Sequence, residues 1–114
     1  MSTHHRLIVF TEPVIGREDE YNEWYDEVHL PEVLATDGFV AAQRFKIADA
    51  QMDNMDVGVP ARYLAIYEME GDDVEPILAA LAAGSDKMNM SEALDVTDAK
   101  AWAFSAIGDK QFRR

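Results

Sequence analysis

His29 is the residue whose type and placement first suggest chemistry. An imidazole titrates near neutral pH, so it can take a proton from a bound molecule and return it. It stands beside Pro31, at the end of a stretch in which Tyr21, Trp24, Tyr25 and Val28 recur at i, i+3, i+4 and i+7. That position admits two readings: a base aimed into a cavity, or a C-terminal cap whose cation meets the last helix carbonyls. Tyr25, four residues earlier on the same side, is either a hydrogen-bonding group for a ligand or core. Tyr63 and Tyr67 share one face of a later extended run, and Trp102 and Phe104 share one face of the last. These four read as the lining of an apolar cavity with phenolic donors, or as ordinary core and interface packing. Gln43 and Arg44 are adjacent, so one of them must face inward; alternation leaves open which. Gln43 joins the ligand-binding candidates, while His4 and His5 precede the first apolar run and read as exposed.

Several other chemistries are excluded or disfavoured. With no cysteine, the chain has no disulfide, thiolate nucleophile or Cys-ligated metal. His29 and Glu32 have a ligand-like spacing, but Pro31 intervenes and no second histidine clusters with them. The acidic stretches Asp49–Asp56 and Glu68–Glu75 lack the Gly and Glu placement of a calcium loop, so no metal site is expected. No glycine-rich phosphate loop is present, and no cofactor is expected. Ten Lys and Arg against 22 Asp and Glu give a net charge of −12, which disfavours nucleic acid and anionic membranes. The opening apolar run, Leu7 to Phe10, is too short for a signal peptide or a membrane span. A cytoplasmic protein is the expectation.

These side chains need elements to position them. At 114 residues, 48% hydrophobic, the chain suits a single domain over 1–114. Leu7 to Phe10 reads as a buried strand closed by Pro13. The aromatic stripe from Asp19 to His29 is an amphipathic helix that should break or kink at Leu30, before Pro31, with a short piece to Ala35. Phe39 to Ile47 is a second strand, with Phe39, Gln43, Phe45 and Ile47 on one face and Arg44 and Lys46 on the other. Residues 48–60 read as a long hairpin loop, and Arg62 to Glu70 as the third strand. Asp72 or Asp73 caps a second helix that runs to Ala83 and is closed by Gly84. Residues 85–98 read as a loop with one helical turn at Ser91–Leu94, and Ala101 to Ile107 as the fourth strand. The order β-α-β-β-α-β is the ferredoxin-like split-βαβ motif, an antiparallel sheet with both helices on one face. Strands one, three and four are apolar on both faces, so the face without helices needs a cover, and a second copy is the simplest. A homodimer is expected.

The run from Asn22 to Leu34 contains WYxxxHxPE and is followed by Gly38-Phe39 and Arg44-Phe45. It resembles the EthD-like branch of the dimeric α+β barrel superfamily, as does the third strand, Arg62 to Glu68. The similarity covers most of residues 6–107. It implies a dimeric α+β barrel with an apolar pocket in each protomer, and it places a functional histidine of some members at His29. Relatives include polyketide cyclases, muconolactone-type isomerases, cofactor-free oxygenases and haem-degrading enzymes, so the resemblance fixes no single reaction. The leading expectation is cofactor-free proton transfer on a small aromatic, lactone or polyketide-derived carbonyl compound: isomerisation, cyclisation or aldol-type chemistry. His29 would be the base, and Tyr67, Tyr25 or Gln43 the donor to the developing oxyanion, with Tyr25, Gln43, Tyr63, Trp102 and Phe104 lining the site. The alternative is a non-catalytic small-molecule binder or accessory protein of a catabolic pathway, with an oxygenase or haem-related role behind it.

Overall fold

The computed structural model describes residues 3–52 and 58–114. Four strands form one antiparallel sheet: β1 (His4–Thr11), β2 (Phe39–Lys46), β3 (Tyr63–Glu70) and β4 (Lys100–Ser105), in spatial order β2-β3-β1-β4. Three helices join them: α1 (Glu18–Trp24), α2 (Leu30–Leu34) and α3 (Val74–Gly84). This is the α+β ferredoxin-like βαββαβ fold. Of the hairpin loop expected over 48–60, residues 53–57 lie outside the described residues.

Register decides what each strand side chain can reach. Leu7 is opposite Tyr67, Val9 opposite Ala65 and Thr11 opposite Tyr63, and all six point toward the helices. Arg6, Ile8 and Phe10, with Glu68, Ile66 and Leu64, occupy the other face by the two-residue period of a strand. On β4, Trp102 is opposite Ile8 and Phe104 opposite Arg6, so both lie on that other face.

β2 corrects the expected alternation. The ladder slips between Phe39 and Ala41: Phe39 pairs with Met69, whereas Ala41 already pairs with Glu68. This bulge spends one residue without crossing a strand position, which reverses parity downstream. Phe39 is therefore buried under the helices, while Gln43, opposite Ile66, is exposed on the far face. Arg44, opposite Ala65, points in.

The helix expected to break or kink before Pro31 continues past it and widens. Tyr25–His29 is a π turn between α1 and α2, and the Leu30 N–H bonds to the Tyr25 carbonyl five residues back. Proline has no N–H and its ring crowds the carbonyl four residues before it, so the chain takes in one extra residue per turn here. The acids Glu18, Asp19 and Glu20 in the first turn of α1 complement its dipole. Asp73 caps α3, its Oδ1 accepting the Glu75 N–H at 3.1 Å. The stretch after α3 opens with a 3₁₀ turn at Ser85–Lys87, and in place of the helical turn expected at Ser91–Leu94 there is one hydrogen-bonded turn, the Leu94 N–H donating to the Ser91 carbonyl at 3.3 Å.

His5 also departs from expectation. It is buried, its Nε2–H donating to the Gly71 carbonyl at 2.9 Å and its Nδ1 accepting from the Ser105 hydroxyl at 2.7 Å. It ties β1 to β4 and to the turn before α3, a structural task.

Candidate functional site

The site is built on the π turn. With more residues per turn than an α-helix, it brings residues five apart into line, and His29 stacks on Trp24, with ring centroids 4.8 Å apart and planes 21° from parallel. Tyr25 meets the same imidazole edge-on at 5.1 Å. Trp24 is itself fixed by its indole N–H, which donates to the Asn89 carbonyl at 2.6 Å. Asn89 also reaches α2, its backbone N–H donating to Glu32 Oε2 at 2.9 Å and its side-chain amide at 3.3 Å. The segment after α3 thus clamps both halves of the first helical layer.

Beneath lies an aromatic layer. Tyr21, Tyr25 and Tyr67 are fully buried. Tyr21 packs edge-on against Tyr25 at 5.5 Å and against Tyr63 at 5.2 Å. The Thr11 and Tyr21 hydroxyls hydrogen-bond each other, and the Tyr63 phenol donates to Glu18. Arg44 threads this layer: its guanidinium lies 4.5 Å from the Tyr25 ring centre, 5.2 Å from that of Tyr21 and 5.6 Å from that of Tyr63. The same group donates to Asp26 Oδ1 at 2.9 Å and to Asn22 Oδ1 at 2.7 Å, tying α1 and the π turn to β2.

Three buried polar atoms here have no hydrogen-bond partner of standard geometry: His29 Nδ1, Glu32 Oε1 and Tyr67 Oη. Tyr67 Oη is the least isolated of the three, because the Tyr25 phenol lies within hydrogen-bonding reach of it and acts on it electrostatically. An unsatisfied buried polar group costs about 1–3 kcal/mol, so each of these atoms favours any partner that a small movement brings within reach. Burial lowers the His29 pKa below its ordinary value, partly offset by the Glu32 charge, and the ring is neutral at pH 7. Burial, reinforced by Tyr25, raises Tyr67 far above the usual phenol range, so its hydroxyl keeps its proton. A neutral imidazole and a protonated phenol are a proton acceptor and a hydrogen-bond donor.

Four of the expected site residues gather here: His29, Tyr25, Tyr67 and Tyr63. The structure separates the other three from them. Gln43 is on the far sheet face because of the β2 bulge, and Trp102 and Phe104 are on it because of the β1–β4 register. Trp102 packs edge-on against Phe10 at 6.1 Å on that face and stays 47% exposed; Phe104 is 59% exposed. Phe104 lines a cleft of about 670 Å³ at the sheet end, with His4, His5 and the chain after β4, and neither His29 nor Tyr67 reaches it. The pocket expected between helices and sheet is filled by Tyr21, Tyr25 and Tyr67. Sequence reasoning left Arg44 open against Gln43, and missed Asn89 and the partnership of Trp24 with His29. A signal existed for the last, since Trp24 and His29 are five apart just before a proline. Asn89, 57 residues from Glu32, left none.

No family model matches the chain, and no curated protein matches it. Solved structures do. A candidate monooxygenase from Shewanella loihica PV-4 superposes with a TM-score of 0.59 at 13% identity, over 96% of this chain and 99% of that one. The haem degrader MhuD from Mycobacterium tuberculosis, with two haems in its active site, gives a TM-score of 0.61 at 16% identity, over 94% and 99%. HapK from Hahella chejuensis gives 0.51 at 13%, over 96% and 99%. At these identities the likeness is one of fold, the ferredoxin-like βαββαβ arrangement of this chain.

Proposed function

We propose that the chain binds a small, flat, mainly apolar molecule carrying a carbonyl or hydroxyl group at the His29–Tyr67 layer, and that His29 accepts a proton from it. The observation that carries this reading is a neutral imidazole set edge-on to Tyr25, which in turn lies within reach of the buried Tyr67 phenol, all inside an aromatic shell. His29, neutral through burial, receives the proton; Tyr67, held protonated, donates to the oxygen on which charge develops. Tyr25 and Tyr67 are closed to solvent, so entry requires the α1–α2 layer to move off the sheet. The WYxxxHxPE run supports placing the chain in the EthD-like branch, where such a histidine is functional in some members.

Haem, bound by one structural neighbour, does not fit this arrangement. Tyr21, Tyr25 and Tyr67 occupy the space between helices and sheet, and Trp24 covers one face of the His29 ring. The charge acting on that imidazole is the Glu32 carboxylate, of the same sign as haem propionates. We propose further that two protomers pair through the far sheet face, where Phe45, Trp102 and Phe104 are exposed and Phe10 is half-buried against Trp102. Among the described residues no helix is long and apolar enough to cross a membrane.

The test uses α-tetralone, a flat bicyclic ketone with exchangeable C–H bonds, in deuterated buffer. The wild-type protein should bind it and accelerate exchange, and His29→Ala should abolish the acceleration while keeping the fold. Binding without acceleration would leave the second reading, a non-catalytic binder at the same layer, which the closed state of Tyr25 and Tyr67 favours. Oxygen uptake in the same assay would move the reaction to the oxygenases. Failure to bind this ketone or any other bicyclic aromatic would remove the reading.

A further inference from the structure

Glu32 is the titratable group near His29 that the proposed chemistry leaves unused. It stands three residues on, past Pro31, in the first turn of α2. One carboxylate oxygen is fully engaged: Oε2 accepts the Asn89 backbone N–H at 2.9 Å and its side-chain amide at 3.3 Å. The other, Oε1, is buried without a partner, as is His29 Nδ1. A buried donor site and a buried acceptor thus lie on consecutive turns of one helical segment, both unsatisfied. Nδ1 is buried and unpartnered, and a proton held there leaves the ring's lone pair on Nε2.

We propose that Glu32 is the positioning residue of His29: its Oε1 takes the Nδ1–H of the ring, so that Nε2 carries the lone pair that receives the ligand's proton. The proposal rests on the reading of His29 as proton acceptor. Glu32 is held by Asn89, so the ring turns to meet it and not the reverse. The proton balance is simple. Nδ1 keeps its proton throughout, Nε2 gains one from the ligand, and the resulting imidazolium faces a carboxylate already in place. Other charges packed against this layer act elsewhere: the Arg44 charge bears on Tyr21, Tyr25 and Tyr67, whereas Glu32 is the charge that bears on His29. Trp24 and Tyr25, the two rings packed against His29, carry no charge at neutral pH.

The experiment is nitrogen-15 NMR of histidine-labelled protein without ligand, across pH. Neutral His29 should carry its proton on Nδ1. In Glu32→Gln, whose amide oxygen can still accept from Asn89, the His29 pKa should fall by about one unit, tenfold in proton affinity. The proton should also move toward Nε2. Glu27→Gln removes the same charge from an exposed position on the π turn and should shift His29 by a small fraction of that. A wild-type ring protonated on Nε2 would overturn the proposal, as would equal shifts in the two variants. If Glu32→Gln fails to fold, the wild-type protonation site decides alone. Neither readout needs a ligand, so a His29–Glu32 pair without any ketone exchange would sink the proposed function and leave this inference standing.

Discussion

At the scale of single residues, the chemistry depends on burial setting protonation in opposite senses. Desolvation penalises the charged form, so it lowers an imidazole and raises a phenol. For His29 the consequence is a definite pH dependence of stability. Its folded pKa lies below the ordinary 6.5, so the unfolded chain binds the proton more tightly. The stability held by neutral His29 is complete above about pH 6.5 and is lost as pH falls toward the folded value. Urea titrations should therefore show stability declining below pH 6.5 in the wild type, and that slope should be shallower in His29→Gln. Equal slopes would mean that the imidazole is solvated. Arg44 makes a second case. It sits over three tyrosine rings and pairs with Asp26, its side chain only 12% exposed. Arg44→Met keeps most of the stem but loses the cation and the fork, and should cost about 2 kcal/mol in the same titration. Lysine should restore little of it, because a point charge cannot reproduce the planar contact.

At the scale of elements, the π turn between α1 and α2 is what separates this helix from an ordinary amphipathic one. The stripe of Tyr21, Trp24, Tyr25 and Val28 made the helix legible, and Pro31 marked where it must change. The sequence could not show the outcome. A proline can be met by a break, a kink or an extra residue in the turn, and packing of Trp24 by Asn89 selects the last. Pro31→Ala restores the missing N–H and should let the segment relax toward an α-helix, turning His29 away from Trp24. Trp24 sits against the imidazole at 4.8 Å, so the variant's tryptophan emission should lose its dependence on His29 protonation. The bulge in β2 is the same lesson in a strand: Phe39 was legible as core, but a slip of one residue exchanged Gln43 for Arg44. Gly38, just before that strand, is fixed by two constraints at once. It has φ of 97°, and a Cβ there would come within 2.7 Å of Ile77 Cγ1. Gly38→Ala should lower stability by about 2 kcal/mol or more, through backbone strain and displacement of α3. An unchanged melting temperature would refute it.

At the scale of the whole molecule, the sheet has one face closed by helices and one left open. The sequence carried this division, because four aromatic strand residues could not all fit under two helical layers. The structure divides them two and two, with Tyr63 and Tyr67 inside and Trp102 and Phe104 outside. A face carrying Ile8, Phe10, Leu64, Ile66, Phe45 and Trp102 suits an identical face, since a twofold axis brings each apolar side chain against the same apolar surface. Charge opposes the pairing. Each copy carries −12, so two copies repel at long range, and salt screens that repulsion without weakening apolar contact. Dimerisation should therefore tighten as sodium chloride rises from 20 to 300 mM (roughly a threefold fall in Debye length or more), the reverse of an interface held by ion pairs. Sedimentation at micromolar concentration should give about twice the 12.8 kDa chain mass. Trp102→Lys separates the two forces: it makes each copy less negative, which alone would favour association, but places a charge in the middle of the apolar face. We expect this variant to be monomeric at every salt concentration, with the helix-face core around Tyr67 intact by circular dichroism. A wild-type monomer at these concentrations, or a dimer that persists in Trp102→Lys, would show that the open face pairs with something other than itself.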